Sequence, residues 1–248
     1  RDARILMPSP CYPTHSSNEW KRGDYAPLVY HLDHRRGWQP DVEEMRKQVQ
    51  YNPQIIAIGL VNPDNPTGMV YPRETLLEIV EIARQNDLFL ISDEIYANIT
   101  FGNANTSALS EVCGDVPGLA LRGISKEYPW PGGRCGWVEI LNSGSHPFFS
   151  EYVRALVNSK MMEVCSTTLP QLSIPAVMGD PRYAPHLRQR AERYGSRAIE
   201  AYEAFSAVEG VGVNPAQGAF YFPVVFDAGL LNDRQTLPIA DPTIRALI

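Results

Sequence analysis

The most regular feature of the chain is a set of short, nearly continuous apolar runs separated by longer segments of mixed polarity. The run at residues 54–61, QIIAIGLV, is rich in Ile and Val, and shorter runs occupy residues 88–92 and 119–121. Runs of this kind are typical of strands that are buried on both faces of a parallel sheet. The pattern therefore predicts an α/β domain built on such a sheet.

The segments between these runs carry apolar residues at spacings of three and four, which predicts amphipathic helices. One helix is predicted over residues 41–49, and another is predicted to begin at Pro72, because proline favours the first helical turn. The resulting order of strand, helix, strand, loop and strand is typical of a doubly wound sheet. Further strands are predicted at residues 4–7, 28–32 and 134–141, and loops at residues 8–17 and 114–118.

The pattern changes after residue 142. Helices are predicted at residues 149–164 and 185–208, and Pro170 and Pro175 are expected to break the chain between them. Residues 218–226, GAFYFPVVF, are predicted to form a strand with an aromatic edge. These elements indicate the start of a smaller α+β domain.

Two domains follow from this change of pattern. A large sheet domain is expected over residues 1–148, and a linker helix with part of a small C-terminal domain is expected over residues 149–248. The last twenty residues show no clear pattern.

Composition narrows the class of protein. Net charge is −6 at pH 7, so the cationic face needed for non-specific nucleic-acid binding is not expected. No apolar run reaches the roughly 18 residues of a membrane span, and no secretory signal pattern opens the chain. We therefore expect neither a nucleic-acid nor a membrane partner.

The cysteines are too scattered to form a CxxC pair. A disulfide framework or a zinc site is therefore not predicted, and a reducing cytoplasm is the expected compartment. His31 and His34 lie three residues apart, but no HExxH helix accompanies them, so no metal site is predicted. The four cysteines are Cys11, Cys113, Cys135 and Cys165.

Polar residues gather where the three predicted buried strands end. Asn65 follows the first of these strands, Asp93 and Tyr96 follow the second, and Lys126 follows the third. Ligands bind at the carboxyl ends of the strands in open α/β sheets. These side chains are therefore expected to converge on one site.

Lys126 is separated from Arg134 by a turn rich in Pro and Gly, EYPWPGG. Proline restricts φ and glycine permits sharp reversals, so the turn holds its two ends in a fixed relation. A fixed lysine amine suits attack on a carbonyl carbon, and an arginine fork suits an anion. The ordinary interpretation of the same segment is a strand, a proline turn and a surface lysine.

Three motifs occur in order along the chain: NPDNPTG at residues 62–68, SDEIY at 92–96 and SKEYPWPGGRCGW at 125–137. They resemble the NPxNPTG, SDExY and SKxxxxxGxRxGW segments of the class I/II aminotransferases, which are fold-type I enzymes dependent on pyridoxal phosphate (PLP). The resemblance covers essentially the whole chain. It implies a three-layer, mostly parallel α/β sheet of the PLP transferase type, with part of a smaller α+β C-terminal domain.

The resemblance also implies a role for each candidate residue. Lys126 matches the lysine that forms the internal aldimine with PLP and later moves a proton between the substrate Cα and the cofactor C4′. Asp93 matches the carboxylate paired with the pyridine nitrogen, which makes the ring an electron sink. Tyr12, in the predicted loop after the first strand, matches an aromatic residue that stacks on the cofactor ring.

The remaining matches concern the edges of the cofactor. Asn65 and Tyr96 match the pair that hydrogen-bonds the phenolic O3′, and Arg134 matches the phosphate arginine. Many relatives carry a phosphate-binding serine three residues before the lysine, where this chain has Gly123. Ser125 is the nearby alternative, so the phosphate is expected to depend chiefly on Arg134.

Taken alone, each candidate also fits a common structural role, and only the set favours a cofactor site. A sheet domain of unrelated function is the corresponding alternative for the whole set. The structural roles are edge packing for Tyr12, a turn for Asn65, a helix N-cap for Asp93, core packing for Tyr96 and a surface ion pair for Arg134.

Two segments that the resemblance leads us to expect are not found. Relatives carry a Gly/Ser-rich phosphate loop well before the Tyr12 segment, and an arginine for the substrate α-carboxylate after the GAFYFPVVF segment. Arg245 is the last arginine, but its surroundings, DPTIRALI, do not match, so it is not assigned. The chain is therefore expected to be incomplete at both ends or to contain gaps.

The function that the resemblance implies is PLP-dependent transfer of an amino group from an amino acid to a 2-oxo acid by a ping-pong route. The lysine segment looks nearest to alanine- and tyrosine-type relatives. Two alternatives stay open: a C–S β-lyase on the same scaffold, and a non-catalytic PLP-binding regulatory domain. Relatives are dimers with active sites at the subunit boundary, so a homodimer is expected.

Overall fold

A six-stranded sheet forms the centre of the computed structural model, which describes residues 3–23, 26–227 and 229. The strands in chain order are β1 (Arg4–Ser9), β2 (Leu28–His31), β3 (Ile55–Val61), β4 (Phe89–Asp93), β5 (Gly118–Gly123) and β6 (Gly136–Leu141). Their order across the sheet is β2-β1-β3-β4-β5-β6, and all neighbours are parallel except β5 and β6. The prediction of a mostly parallel sheet is confirmed. Apart from Gly229, the last twenty residues lie outside the described part.

Helices connect and cover the strands. They are α1 (Pro13–Gly23), α2 (Val42–Tyr51), α3 (Arg73–Gln85), α4 (Leu109–Val112), α5 (Pro147–Met161), α6 (Thr168–Gly179) and α7 (Tyr183–Ser206). Shorter 3-10 turns lie at His34–Arg36 and Pro131–Gly133, and a small antiparallel pair joins β7 (Val211–Gly212) to β8 (Val225–Phe226).

Local sequence explains where α2 and α3 begin. The carboxylate of Asp41 accepts a hydrogen bond from the backbone N–H of Glu44 at 3.1 Å, so it caps α2. Pro72 occupies the N-cap position of α3, one residue before the first turn to which the sequence pattern assigned it. The correction is small, because the N–H that proline lacks would have no intrahelical partner at either position.

The helices cover both faces of the sheet. On one face, α2, α3 and α4 bury side chains such as Met45, Ile79 and Leu109 in one continuous core. On the other face, the ring of Phe149 in α5 lies 5.1 Å from the ring of Phe89 in β4. A helical layer on each side of the sheet confirms the three-layer arrangement.

Two segments that were predicted to be irregular are helical. Within the predicted loop over residues 8–17, β1 extends through Ser9 and α1 begins at Pro13, a favoured first position, although the polar sequence of α1 shows no apolar period. α6 contains both Pro170 and Pro175, so the predicted chain break is wrong. Pro170 is the third residue of α6, where N–H groups have no intrahelical partner, and only Pro175 removes a helical hydrogen bond.

The predicted strand over residues 218–226 is mostly wrong, because only its last two residues belong to a strand, β8, and Gly218 forms a single isolated bridge with Thr100. The N–H of Gly218 donates instead to the carbonyl of Gly68 at 2.9 Å, and the N–H of Ala219 donates to the carbonyl of Ile99 at 2.8 Å. The backbone of this segment is thereby tied to the loops that follow β3 and β4 rather than to a sheet.

The division of the chain into two domains near residue 148 stays a prediction. The helix at this point, α5, packs against the sheet. Within residues 3–23 and 26–227, no helix is long and apolar enough to cross a membrane.

Candidate active site

The ends of three neighbouring strands form one side of a cavity. β3, β4 and β5 are adjacent and parallel, with Val61 beside Asp93 and Asp93 beside Leu121. The loops after these strands therefore leave the sheet at the same edge. The cavity at this edge has a volume of about 270 Å³. It is lined by the candidate residues Tyr12, Asn65, Asp93, Tyr96, Ser125, Lys126 and Arg134, and by Ile95, Leu121, Arg122 and Pro131.

Asp93 is the last residue of β4, and two contacts fix its carboxylate. Its Oδ1 accepts a hydrogen bond from the backbone N–H of Ile95 at 3.1 Å. Its Oδ2 lies 3.0 Å from Nε2 of His15. The side chains of Asp93 and His15 are only 16% and 18% exposed. The carboxylate therefore has a set direction while it forms part of the cavity wall.

His15 is a site residue that sequence reasoning missed. It lies on α1, three residues after Tyr12, and the two rings are 6.0 Å apart in an edge-on arrangement. Tyr12 itself is 45% exposed. Tyr12 directly precedes α1, and the first turn of the helix brings His15 back beside it, with the His15 N–H donating to the Tyr12 carbonyl at 3.1 Å. The spacing of three was available in the sequence, but it carried no weight while the segment was predicted to be a loop.

The amine of Lys126 lies among aromatic rings. Its Nζ is 5.9 Å from the ring centroid of Tyr96 and 5.7 Å from that of Phe220. Contacts of an ammonium group with aromatic rings at such distances are attractive. The rings thus restrict where the amine can lie while Lys126 remains part of the cavity wall.

Arg190 of α7 fixes the backbone of Lys126. Its Nη2 donates to the carbonyl of Lys126 at 3.0 Å, and its Nη1 donates to the carbonyl of Glu127. Nη2 also donates to the hydroxyl of Tyr194 at 3.2 Å. Charge-assisted bonds from one guanidinium to two successive carbonyls hold the loop in a single geometry. Sequence reasoning did not find Arg190, because a contact with backbone carbonyls requires no particular residue on the other side.

Tyr96 is buried, with 2% of its surface exposed, and its hydroxyl lies 2.7 Å from the hydroxyl of Tyr221. Burial, followed by the hydrogen bond with Tyr221, raises the pKa of Tyr96 far above its usual range. A hydrogen bond from the side chain of Asn65 acts on this pKa in the opposite direction. Tyr96 is therefore a neutral phenol that can donate a hydrogen bond.

Arg134 ends the Pro–Gly turn on the other side of the cavity. Its backbone is in the left-handed region, with φ of 45°, and its Nη1 donates to the carbonyl of Pro131 at 2.8 Å. Gly133 keeps this turn compact, because a Cβ there would lie 2.8 Å from the side chain of Ile124 and 2.9 Å from the ring of Trp130 and would displace them. The guanidinium of Arg134 is exposed and can bind an anion.

Arg122, near the end of β5, is a lining residue that sequence reasoning did not single out. Its Nη2 donates to Oε2 of the buried Glu94 at 2.6 Å. Burial raises the pKa of Glu94, and the charge of Arg122 is among the effects that oppose the rise.

Gly123 occupies the place where many relatives carry a phosphate-binding serine. A Cβ on Gly123 would come within 3.0 Å of the Cys135 carbonyl, so a serine would be crowded there.

Asp64 supports the site by holding the turn that contains Asn65. It has no exposed surface, and its Oδ2 accepts from the hydroxyl of Thr67 at 2.6 Å and from the Thr67 N–H at 3.0 Å. Burial raises the pKa of Asp64 to about 6, although the bonds from Thr67 oppose the rise. These contacts shape the turn that presents Asn65 to the cavity.

The donor set around the cavity fits PLP. The amine of Lys126, the carboxylate of Asp93 and the guanidinium of Arg134 suit an aldehyde, a protonated pyridine nitrogen and a phosphate respectively. The volume lies just below the range of about 300–1,000 Å³ that is typical of small-molecule sites, as suits a compound with one ring.

Comparison with known proteins defines the class. The family described as aminotransferase class I and II matches residues 1–236. This chain belongs to that family. Membership in this family implies the use of PLP.

Individual relatives support the same class. The chain is 44% identical over 248 residues to an uncharacterized aminotransferase of Methanocaldococcus jannaschii. The match covers 100% of this chain and 57% of that protein. It is 30% identical over 228 residues to the glutamate-pyruvate aminotransferase of Escherichia coli, covering 92% of this chain and 55% of that protein. The structure of alanine aminotransferase from Pyrococcus furiosus matches with a TM-score of 0.84 and 28% identity, covering 92% of this chain and 56% of that one. The chain thus spans about half the length of the relatives it matches.

Proposed function

We propose that the full-length protein is a PLP-dependent aminotransferase, which moves an amino group from an amino acid to a 2-oxo acid. The observation that carries the proposal is that Lys126 and Asp93 line one cavity, although Asp93 ends β4 and Lys126 lies after β5. When bound, PLP supplies an aldehyde carbon that an amine can attack and a ring that takes up negative charge from the substrate Cα.

Asp93 would hold a proton on the pyridine nitrogen. Its contacts with Ile95 and His15 fix the carboxylate before any charge develops in the substrate. A group that is already oriented stabilises developing charge without a cost of reorganisation. Asp93 should therefore matter more for turnover than for attachment of the cofactor.

Lys126 would attach the cofactor first and serve as a base afterwards. Once substrate had displaced it, the free amine of Lys126 would take a proton from the substrate Cα and return it at the cofactor C4′. The Arg190 bonds to the Lys126 and Glu127 carbonyls fix the backbone position from which the amine would reach both carbons. One side chain can thus perform both tasks from one backbone position.

The other lining residues would bind and orient. Tyr96 and Asn65 would hydrogen-bond the phenolic oxygen, with Tyr96 kept neutral by its raised pKa. Arg134 and Ser125 would bind the phosphate, and Tyr12 would cover one face of the ring. Each of these side chains lines the cavity.

A small amino acid is the substrate we infer. The relative from Escherichia coli is named glutamate-pyruvate aminotransferase, and a relative from Mycobacterium tuberculosis, 31% identical over 222 residues, is named alanine aminotransferase. L-alanine with 2-oxoglutarate is therefore the first substrate pair to test.

A homodimer in the cytoplasm is the proposed form of the protein. Apolar side chains are strongly exposed between α5 and α6 and within α6, including Met162 at 82%, Val164 at 94% and Leu172 at 72%. A cluster of exposed apolar side chains is typical of a surface that another element covers, and we propose a second copy as the partner. Light scattering that reports a monomer of the full-length protein at assay concentration would contradict the dimer.

Two assays separate amino transfer from its alternatives. We expect the PLP-loaded full-length protein to form pyruvate from L-alanine over many turnovers only when 2-oxoglutarate is present, and to form about one equivalent per site without it, because the amino group then stays on the cofactor. A C–S β-lyase would release pyruvate from a cysteine conjugate without any 2-oxo acid. A regulatory domain would bind PLP and catalyse neither reaction.

A further inference from the structure

Tyr221 was not among the predicted site residues, but its hydroxyl contacts a residue of the cavity wall. It lies 2.7 Å from the hydroxyl of Tyr96, and either group can donate the hydrogen bond. The two rings meet edge to face, with centroids 5.7 Å apart and planes at 85°. Tyr96 lines the cavity. The contact therefore joins the cavity wall to the segment at residues 218–226.

Backbone contacts hold Tyr221 in this position. The carbonyl of Gly68 accepts a hydrogen bond from the N–H of Gln217 at 2.8 Å, and the N–H of Ala219 donates to the carbonyl of Ile99 at 2.8 Å. A Cβ on Gly68, which has φ of +69°, would come within 2.5 Å of the Tyr221 carbonyl oxygen. Two loops of the site thus fix the segment that carries Tyr221.

The effect of this hydrogen bond on Tyr96 depends on which of the two hydroxyls donates its proton. A hydroxyl becomes a stronger hydrogen-bond donor when it also accepts a hydrogen bond. When the Tyr96 proton points to Tyr221, the bond raises the pKa of Tyr96. When that proton points to an acceptor in the cavity, the bond reverses, because the lone pairs of Tyr96 then accept from Tyr221. The bond then orients the Tyr96 proton toward the cavity and polarises it.

We propose that Tyr221 is a positioning residue that makes Tyr96 a stronger donor toward the phenolic oxygen of bound PLP. This proposal rests on the proposed function, because it assigns the cavity to PLP. A stronger donor lets the phenolic oxygen carry negative charge at lower pH. The pH midpoint of the visible absorbance of the PLP-loaded protein is the quantity that should respond.

Removal of single hydroxyl groups tests the proposal. Tyr96→Phe should raise the pH midpoint by about 1 unit, as expected for the loss of one hydrogen bond. Tyr221→Phe should raise it by roughly 0.3 to 0.5 unit, because Tyr96 then loses one of the hydrogen bonds that polarise its hydroxyl. Both variants keep the ring, so the edge-to-face packing remains.

The double variant shows whether Tyr221 acts through Tyr96. We expect Tyr96→Phe combined with Tyr221→Phe to have the midpoint of Tyr96→Phe alone, because the second hydroxyl has nothing left to orient. An undiminished further shift in the double variant would overturn the proposal.

Tyr152→Phe is the matched control. Tyr152 packs its ring 5.1 Å from Phe89, in the hydrophobic cluster that includes α5, and its hydroxyl should leave the midpoint unchanged. If the unaltered protein binds no PLP, the proposed function and this proposal are overturned together. If the protein binds PLP and Tyr221→Phe has the midpoint of the unaltered protein, this proposal alone is overturned.

Discussion

Nε2 of His15 lies 3.0 Å from Oδ2 of Asp93, although the two residues are 78 positions apart in the chain. The contact joins α1 to the end of β4. It complements the bond from the Ile95 N–H to the other carboxylate oxygen. The direction of the Asp93 carboxylate is therefore set by two different parts of the chain.

Replacement of His15 by alanine should loosen Asp93 without removing its charge. A hydrogen bond to a charged group contributes about 1.5–3 kcal/mol, so we expect kcat/KM for amino transfer to fall roughly 10- to 100-fold. Steady-state kinetics with L-alanine and 2-oxoglutarate measure the effect. His186→Ala, on the exposed side of α7, is the control and should stay close to the unaltered protein. Equal rates for both variants would mean that His15 does not support Asp93.

Replacement of Asp93 by alanine should separate attachment of PLP from turnover. We expect the visible absorbance with PLP to remain, because Lys126 still offers its amine. Turnover should fall by at least about 100- to 1,000-fold, the usual cost of removing one oriented electrostatic group. Absorbance spectra and single-turnover kinetics on the same sample measure the two effects. Near-normal rates would show that the pyridine nitrogen does not depend on this carboxylate.

Arg190 should matter through the position of Lys126. Arg190→Met removes the bonds to the Lys126 and Glu127 carbonyls, and we expect about tenfold weaker PLP binding and a lower kcat. Arg190→Lys keeps one cationic donor and should recover part of both losses. Fluorescence titration with PLP gives the affinity. The exposed Arg188, replaced by methionine, is the matched control, and a loss of equal size in that variant would count against a specific role for Arg190.

Asp64 should make stability depend on pH near the site. Its pKa in the folded protein, about 6, is above the ordinary value of 3.8. A raised carboxyl pKa contributes stability that is fully present below the unfolded pKa and is lost as pH rises through the folded pKa. From pH 4 to pH 7, the PLP-free protein should therefore lose up to about 3 kcal/mol of unfolding free energy relative to Asp64→Asn.

Urea unfolding of both proteins at several pH values measures this difference. The comparison with Asp64→Asn removes the contributions of the other carboxylates, which titrate alike in the two proteins. A difference that stays constant between pH 4 and pH 7 would show that Asp64 does not titrate in this range in the folded state.

The sheet could be predicted from sequence because burial on both faces leaves a direct mark on composition. β3 was predicted to within one residue of its observed start, because the run QIIAIGLV is apolar on both faces of the strand after its first residue. The convergence of Asn65, Asp93 and Lys126 on one cavity followed from the rule that parallel strands end at one edge. These inferences use periodicity and topology alone.

The supporting residues could not be predicted in the same way. His15 lies on a helix without an apolar period, and Arg190 binds backbone carbonyls that any sequence supplies. Tyr221 lies in an apolar aromatic run that indicates a strand, but its neighbours donate their N–H groups to loop carbonyls. In each case the decisive partner is distant in sequence and is fixed only by tertiary packing.

The visible absorbance of the full-length protein titrated with PLP, compared with that of Lys126→Ala, tests most directly whether this cavity is a PLP site. We predict a pH-dependent band near the visible edge in the unaltered protein and its loss in Lys126→Ala. An identical band in both proteins, or no band in either, would contradict the assignment of Lys126 as the residue that binds the cofactor.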